Sequence, residues 1–321
     1  MTKNRFLKIA TFSFLCLGMI ACSQEDDFTL DTGKDTPITI ASASVGDVVV
    51  TRGMGYTVDE NDIMTEAESA ITLYVSSEKG DKYTADKIKF KLGENGWTPD
   101  DAGATVYYEG SGSSQKFAAL YCLAGIDATL DNPWESISNF PSTLTTDEQL
   151  ARMDYLICNG DVTDATLDIA FKHIYAKLSF NVTYGSELEV KEIKTLTVTG
   201  LPDAVKQNIF TGEYDYEGVE FTGETKFESA DYLHGLMLPY TSEKGVNYGI
   251  RVETTGNRVF TTTFQPCRKD GDDNIINYGF EAGYHYTVNL KVGLDKIEVT
   301  SVDTGESNPW TGWGENDIEL N

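Results

Sequence analysis

From residue 70 to residue 302 the chain is a succession of short apolar runs, several with period-two alternation and most separated by turns of Gly, Asn, Asp or Pro. "AITLYVSS" (70–77), "ATVYYEG" (104–110), "KFAALYCLAG" (116–125), "ATLDIAFKH" (165–173), "AKLSFNVTYG" (176–185) and "YHYTVNLKVG" (284–293) are examples. Alternation with that period lays side chains on the two faces of a pleated strand, whereas a helical face repeats every 3.6 residues. No helix-period stretch of about 12 residues or more interrupts the series. The pattern therefore predicts an all-β chain of sandwiches rather than a parallel α/β sheet. Its cleanest hairpin is Tyr248 to Phe264, turning at Gly256-Asn257, as short hairpin loops prefer. In "KIKFKL" (87–92), Lys87, Lys89 and Lys91 share one face, which predicts a half-buried edge strand guarded by charge.

Length decides the number of cores. With 321 residues, 17 Tyr and 15 Phe, the chain is suited to two domains. The polar break "CNGDVTDAT" (158–166) places the division so that 53–165 form the first and 166–321 the second.

The first 21 residues read as a targeting segment. Lys3, Arg5 and Lys8 form a positive head, and Ile9 to Ile20 form an apolar stretch too short to span a bilayer as a helix. It ends in Met19-Ile20-Ala21-Cys22, which resembles the lipobox of bacterial lipoproteins and implies acylation of Cys22 and anchoring to outer-membrane lipid. The acidic run that follows, Glu25 to Asp27, resembles the surface-export signal of lipoproteins in Bacteroides-type bacteria. Residues 22–52 then form a polar tether with strand character at "PITIA" (37–41) and "VVVTR" (48–52). Loss of Lys3, Arg5 and Lys8 with the signal takes the net charge from −26 to about −29, which repels nucleic acid and anionic headgroups.

Chemistry is sparse. His173, His234 and His285 are far apart and belong to no HExxH or nucleophile motif, so no catalytic residue is assigned. "KDGDDN" (269–274) lacks the spaced oxygens and distal Glu of a calcium loop. Cys122, Cys158 and Cys267 have no zinc spacing, and their odd number is a poor disulfide framework. No metal or other cofactor is expected. Trp97, Trp134, Trp310 and Trp313 lie beside Gly, Pro or Asn and read as loop residues covering core edges.

Taken together the lipobox, the acidic tether, "VVVTR", "FKHIYAKLSFNV" (171–182), "GYHYTVNLKV" (283–292) and the closing "IEVTSVD" and "NPWTGW" resemble the fimbrillins, the Mfa-like or type V pilins of Bacteroides-type bacteria. The resemblance implies two tandem transthyretin-like β-sandwich domains with Greek-key-like connections, and a structural fimbrial subunit, shaft or tip, rather than an enzyme. It further implies cleavage by an arginine-specific protease between Arg52 and Gly53, and loss of a first strand carrying Ile38, Ile40, Val48 and Val50. That strand would supply on the order of 6–12 kcal/mol of gross burial. A C-terminal strand of another pilin subunit, itself or a related chain, would refill the vacated groove. Two donor segments fit the alternation, one with Ile297, Val299 and Ser301 on one face and one with Ile318 and Leu320. The implied roles are adhesion, to a host or bacterial surface receptor, or biofilm formation. The alternative reading is a surface glycan-binding lipoprotein of a polysaccharide-uptake system, which requires several aromatic rings coplanar on one exposed face.

Overall fold

The computed structural model describes residues 36–304 apart from 46–55, 60, 124, 139–145, 147–148, 151, 189–192, 229–231, 270–271 and 273. Strands dominate it, as the alternation predicts. The first ten are β1 (Thr39–Val45), β2 (Tyr56–Val58), β3 (Met64–Ala67), β4 (Ile71–Ser76), β5 (Ala85–Gly93), β6 (Gly96–Pro99), β7 (Lys116–Tyr121), β8 (Trp134–Ser138), β9 (Leu156–Asp161) and β10 (Thr166–His173). Seven of them form one sheet in the order β1-β10-β9-β7-β4-β5-β6, and β1 lies close to β6 as well, so the sheet curls around its own core. All pairs in it are antiparallel except β1 with β10.

The second series is β11 (Ala176–Tyr184), β12 (Ile193–Leu201), β13 (Ala204–Asn208), β14 (Tyr214–Asp215), β15 (Gly223–Phe227), β16 (His234–Met237), β17 (Tyr240–Ser242), β18 (Tyr248–Thr254), β19 (Val259–Phe264), β20 (Cys267–Lys269), β21 (Ile275–Phe280), β22 (His285–Val292) and β23 (Ile297–Asp303). Two four-stranded sheets, β16-β11-β22-β23 and β15-β12-β18-β19, face each other. Their inward residues, among them Leu178, Phe180, Val288 and Leu290 from one and Leu196, Val198, Ile250 and Val252 from the other, make one buried cluster, as in a β-sandwich. The Tyr248 to Phe264 hairpin forms as expected, with Asn257 in the left-handed conformation at φ 58.

The two cores meet along a shared seam. Leu236 belongs to the first core and its neighbour Met237 to the second, because successive residues of a strand point to opposite faces. Tyr175 and Ala176 divide in the same way. Thr166 to Phe171 are laddered to β1, Lys172 and His173 to β9, and all lie in the first sheet, so the cores part after β10 rather than before it. Val205 and Ile209 also pack into the first core, where β13 pairs with β8.

Two expectations about strand position change. Ile88 and Phe90 point inward and the lysines outward, but β5 is paired on both sides, and the edge belongs to β6. Trp97 is a buried residue of β6 rather than a loop cover, and Trp134 begins β8. Trp310 and Trp313 lie outside the described residues.

Candidate functional site

The feature that sets β1 apart is how it is held. Along one edge it is laddered to β10, from Thr39 opposite Thr166 to Val45 opposite Phe171. The other edge is clamped at its two ends. At one end the Ile38 N–H donates to the Val106 carbonyl (2.8 Å) and the Tyr108 N–H to the Thr36 carbonyl (2.9 Å). At the other, the Val45 N–H donates to the Asp62 carbonyl (3.1 Å). Side chains add to the ladder, with Ser42 Oγ donating to Asp168 Oδ1 at 2.7 Å and Ser44 Oγ to the Ile169 carbonyl at 3.4 Å.

The pairing with β10 slips between Ile40 and Ser42, leaving Ala41 as a bulge. The extra residue resets the alternation, so the inward positions are Ile38, Ile40, Ala43 and Val45, at most 4% exposed. The three larger side chains contribute roughly 5–9 kcal/mol of gross burial. Beside them on the same face of the sheet lie Ile169 and Phe171 of β10, with Phe171 against Tyr121 (6.4 Å between ring centroids) and Tyr121 against Tyr56 (5.6 Å). Burial pushes the Tyr121 phenol up to about 12 and holds Tyr56 well above its ordinary range.

β10 depends on β1 more than on its sequence neighbour. Only Lys172 and His173 are laddered to β9, opposite Ile157 and Leu156. At that end His173 Nδ1 pairs with Asp154 Oδ2, both side chains buried. Burial pushes the Asp154 carboxyl up, and the facing imidazole partly offsets the shift. A cleft of about 460 Å³ opens here, its walls including Cys158, Lys172, Gln207 and Tyr214. Two of its polar groups are already engaged, the Asn159 amide with the Ile209 carbonyl and the Gln207 amide with that of Gly212.

Of the residues singled out from sequence, Ile38 and Ile40 come together in this seat. Ile297 and Val299 lie elsewhere, in β23 of the second sandwich, which among the described residues is paired with β22 alone. The expected face of Ile297, Val299 and Ser301 is corrected, because the ladder slips between Asn289 and Leu290 and makes Thr300 a bulge. Val302 rather than Ser301 then joins Val299 against the second core. Cys22, Val48, Val50, Arg52, Gly53, Ile318 and Leu320 lie outside the described residues.

Sequence reading missed one cluster. Ser179 Oγ is within 2.8 Å of His234 Nδ1 and 2.7 Å of His285 Nε2, uniting two histidines from β16 and β22 across β11. Among the described residues no group of three or more His, Cys, Asp or Glu is arranged to hold a metal ion. Among the described residues Cys122, Cys158 and Cys267 form no disulfide.

Surface aromatics do gather, in a row of Tyr214, Tyr216, Tyr240 and Phe221, but not as a platform. Tyr240 meets Tyr216 at 88° and Phe221 at 67°, edge to face. The Tyr214 and Tyr216 hydroxyls donate to the Ile174 and Pro239 carbonyls. Tyr214 and Tyr216 are near-parallel (22°, centroids 6.1 Å apart), but the edge-on contacts of Tyr240 keep the four rings out of one common plane.

The fimbrillin-like family matches residues 55–310 of the chain. Among solved structures, a candidate cell adhesion protein of Bacteroides uniformis is 17% identical, with TM-score 0.52, over 86% of this chain and 99% of that one. A second, from Bacteroides ovatus, is 16% identical with TM-score 0.55, over 84% and 97%. The tip fimbrial protein Mfa3 of Porphyromonas gingivalis, with a C-terminal truncation, is 11% identical with TM-score 0.48, over 84% and 100%. No curated protein sequence matches the chain.

Proposed function

The chain belongs to the fimbrillin-like family, and on that premise we propose that it is a structural subunit of cell-surface fimbriae, shaft or tip, serving adhesion or biofilm formation. In this reading Cys22 carries the lipid anchor, an arginine-specific protease cuts between Arg52 and Gly53, and β1 leaves. A strand from another pilin subunit then takes its place.

The observation that supports it most is the seat of β1. The strand is continuous with its sheet in hydrogen bonding, yet it lies at the chain's N-terminal side with Arg52 between it and β2. A cut there severs β1 from the rest while leaving both cores with their other strands. Its departure would expose an apolar trench and an unpaired strand edge, which an extended segment can fill with both ladder hydrogen bonds and side chains. Repetition of that heterologous contact builds a filament.

Brief treatment of the purified precursor with an arginine-specific protease tests this. One early cut after Arg52, followed by detergent-resistant ladders on electrophoresis, is the expected result, and Arg52→Ala should leave folded monomer that does not assemble. A cut product that stays a folded monomer would sink the strand-exchange mechanism.

A further inference from the structure

Two imidazoles converge on one hydroxyl in the second sandwich. Ser179 lies opposite His234 in the ladder between β11 and β16, and Lys177 lies opposite His285 in the ladder between β11 and β22. Leu178 and Phe180 point into the second core, so Lys177, Ser179 and their ladder partners stand on the sheet's other face. There Ser179 Oγ is 2.8 Å from His234 Nδ1 and 2.7 Å from His285 Nε2. The two nitrogens are therefore separated by no more than the sum of those distances. Ser179 and His285 are buried, whereas His234 is partly exposed and opens the cluster to solvent. Tyr232 packs against the His234 ring, 5.2 Å between centroids at 55°, and braces it on the side of the cluster.

A hydroxyl has one proton, so it donates to one of these nitrogens and accepts from the other. Neutral imidazole is also the commonest protein ligand for metals, through either ring nitrogen. An ion bound about 2.0–2.1 Å from each nitrogen needs them about 3.3 Å apart at the tetrahedral angle, which slight turns of the two rings supply once the hydroxyl swings aside. One χ1 rotation of Ser179 moves its oxygen out of the way. The imidazole that donates to the hydroxyl shifts its proton to its other ring nitrogen, so that both rings present a lone pair. Two nitrogen donors without a carboxylate select zinc, copper or nickel over calcium or magnesium. Among the described residues no third His, Cys, Asp or Glu completes the set, so water fills the remaining positions. Lys177, beside His285 on the same face, opposes a second cation and keeps the binding weaker than that of a four-ligand structural site.

We infer that His234 and His285 form a binding site for a transition-metal dication of the zinc class, with the ion taking the place of the Ser179 hydroxyl. The bound ion ties β16 to β22 across β11 and stabilises the second sandwich against unfolding. The site stands apart from the seat of β1 and does not depend on its exchange.

Copper gives the most direct reading. Full-length protein loaded with one equivalent of Cu(II) should show an electron paramagnetic resonance spectrum split by two nitrogens, and His234→Asn or His285→Asn should leave one. Calorimetric titration with zinc should show one site in the native chain and affinity at least about tenfold lower in either variant, since loss of an outer-sphere partner alone commonly costs that much. Calcium and magnesium in excess should not compete, which separates the site from acidic groups of the surface. Ser179→Ala keeps both imidazoles and removes the group that the ion displaces. It should bind zinc at least as tightly as the native chain, and it carries the test where a histidine variant does not fold. Equal zinc affinity in the native chain and both histidine variants, a copper spectrum without nitrogen splitting, or weaker binding by Ser179→Ala would overturn the site.

Discussion

Asp154 and His173 show how a single buried pair ties pH to the integrity of the seat. The Asp154 carboxyl is raised above its ordinary 3.8 chiefly by burial. A carboxyl raised in the folded state binds its proton more tightly there than in the unfolded chain. Its stabilising contribution is thus complete below the unfolded value and is lost as pH rises through the folded one. Asp154→Asn keeps a neutral side chain at every pH. Denaturant midpoints measured from pH 3.5 upward should therefore fall for the native protein relative to the variant as pH rises past 3.8. A difference that is constant with pH would show that Asp154 is ionised alike in both states.

At the scale of elements, the short pairing between β9 and β10 carries the prediction. Thr166 to Phe171 have their ladder with β1, while only Lys172 and His173 are paired to β9. Loss of β1 should therefore loosen most of β10 and leave its last two residues anchored. Hydrogen exchange after cleavage at Arg52 should show lost protection over 166–171 with β7 and β9 unchanged, and recovery on addition of peptide 37–45. Uniform protection across β10 would mean that the strand has support the ladder does not reveal. Sequence carries part of this design. The alternation of Ile38 with Ile40 marks the first strand correctly, because local period is visible in local sequence. The inward turns of Ala43 and Val302 are hidden from it, since a bulge is fixed by register against a distant partner rather than by the strand's own residues. The same applies to the non-edge position of β5. It applies as well to the meeting of Ser179 with His234 and His285, which lie 55 and 106 residues away.

For the whole molecule, charge opposes association. Copies of so acidic a chain, with a formal net charge of −26 over all 321 residues, repel one another until salt screens them, over a Debye length of about 8 Å at physiological ionic strength. Light scattering of the cut protein should show assembly several-fold faster at 200 mM than at 20 mM salt, and a rate indifferent to salt would mean that the contacting faces carry little of this charge. The position of β1 has one more consequence. While residues 46–55 join it to β2, the strand competes for its seat as an intramolecular ligand, at an effective concentration on the order of millimolar. A donor of equal intrinsic affinity present at micromolar concentration is then outcompeted roughly a thousandfold. Hydrolysis of one peptide bond removes that advantage and lets the released strand dilute away. In the proposed assembly β1 would thus act as the chain's own inhibitor of premature polymerisation, covalently attached and spent once.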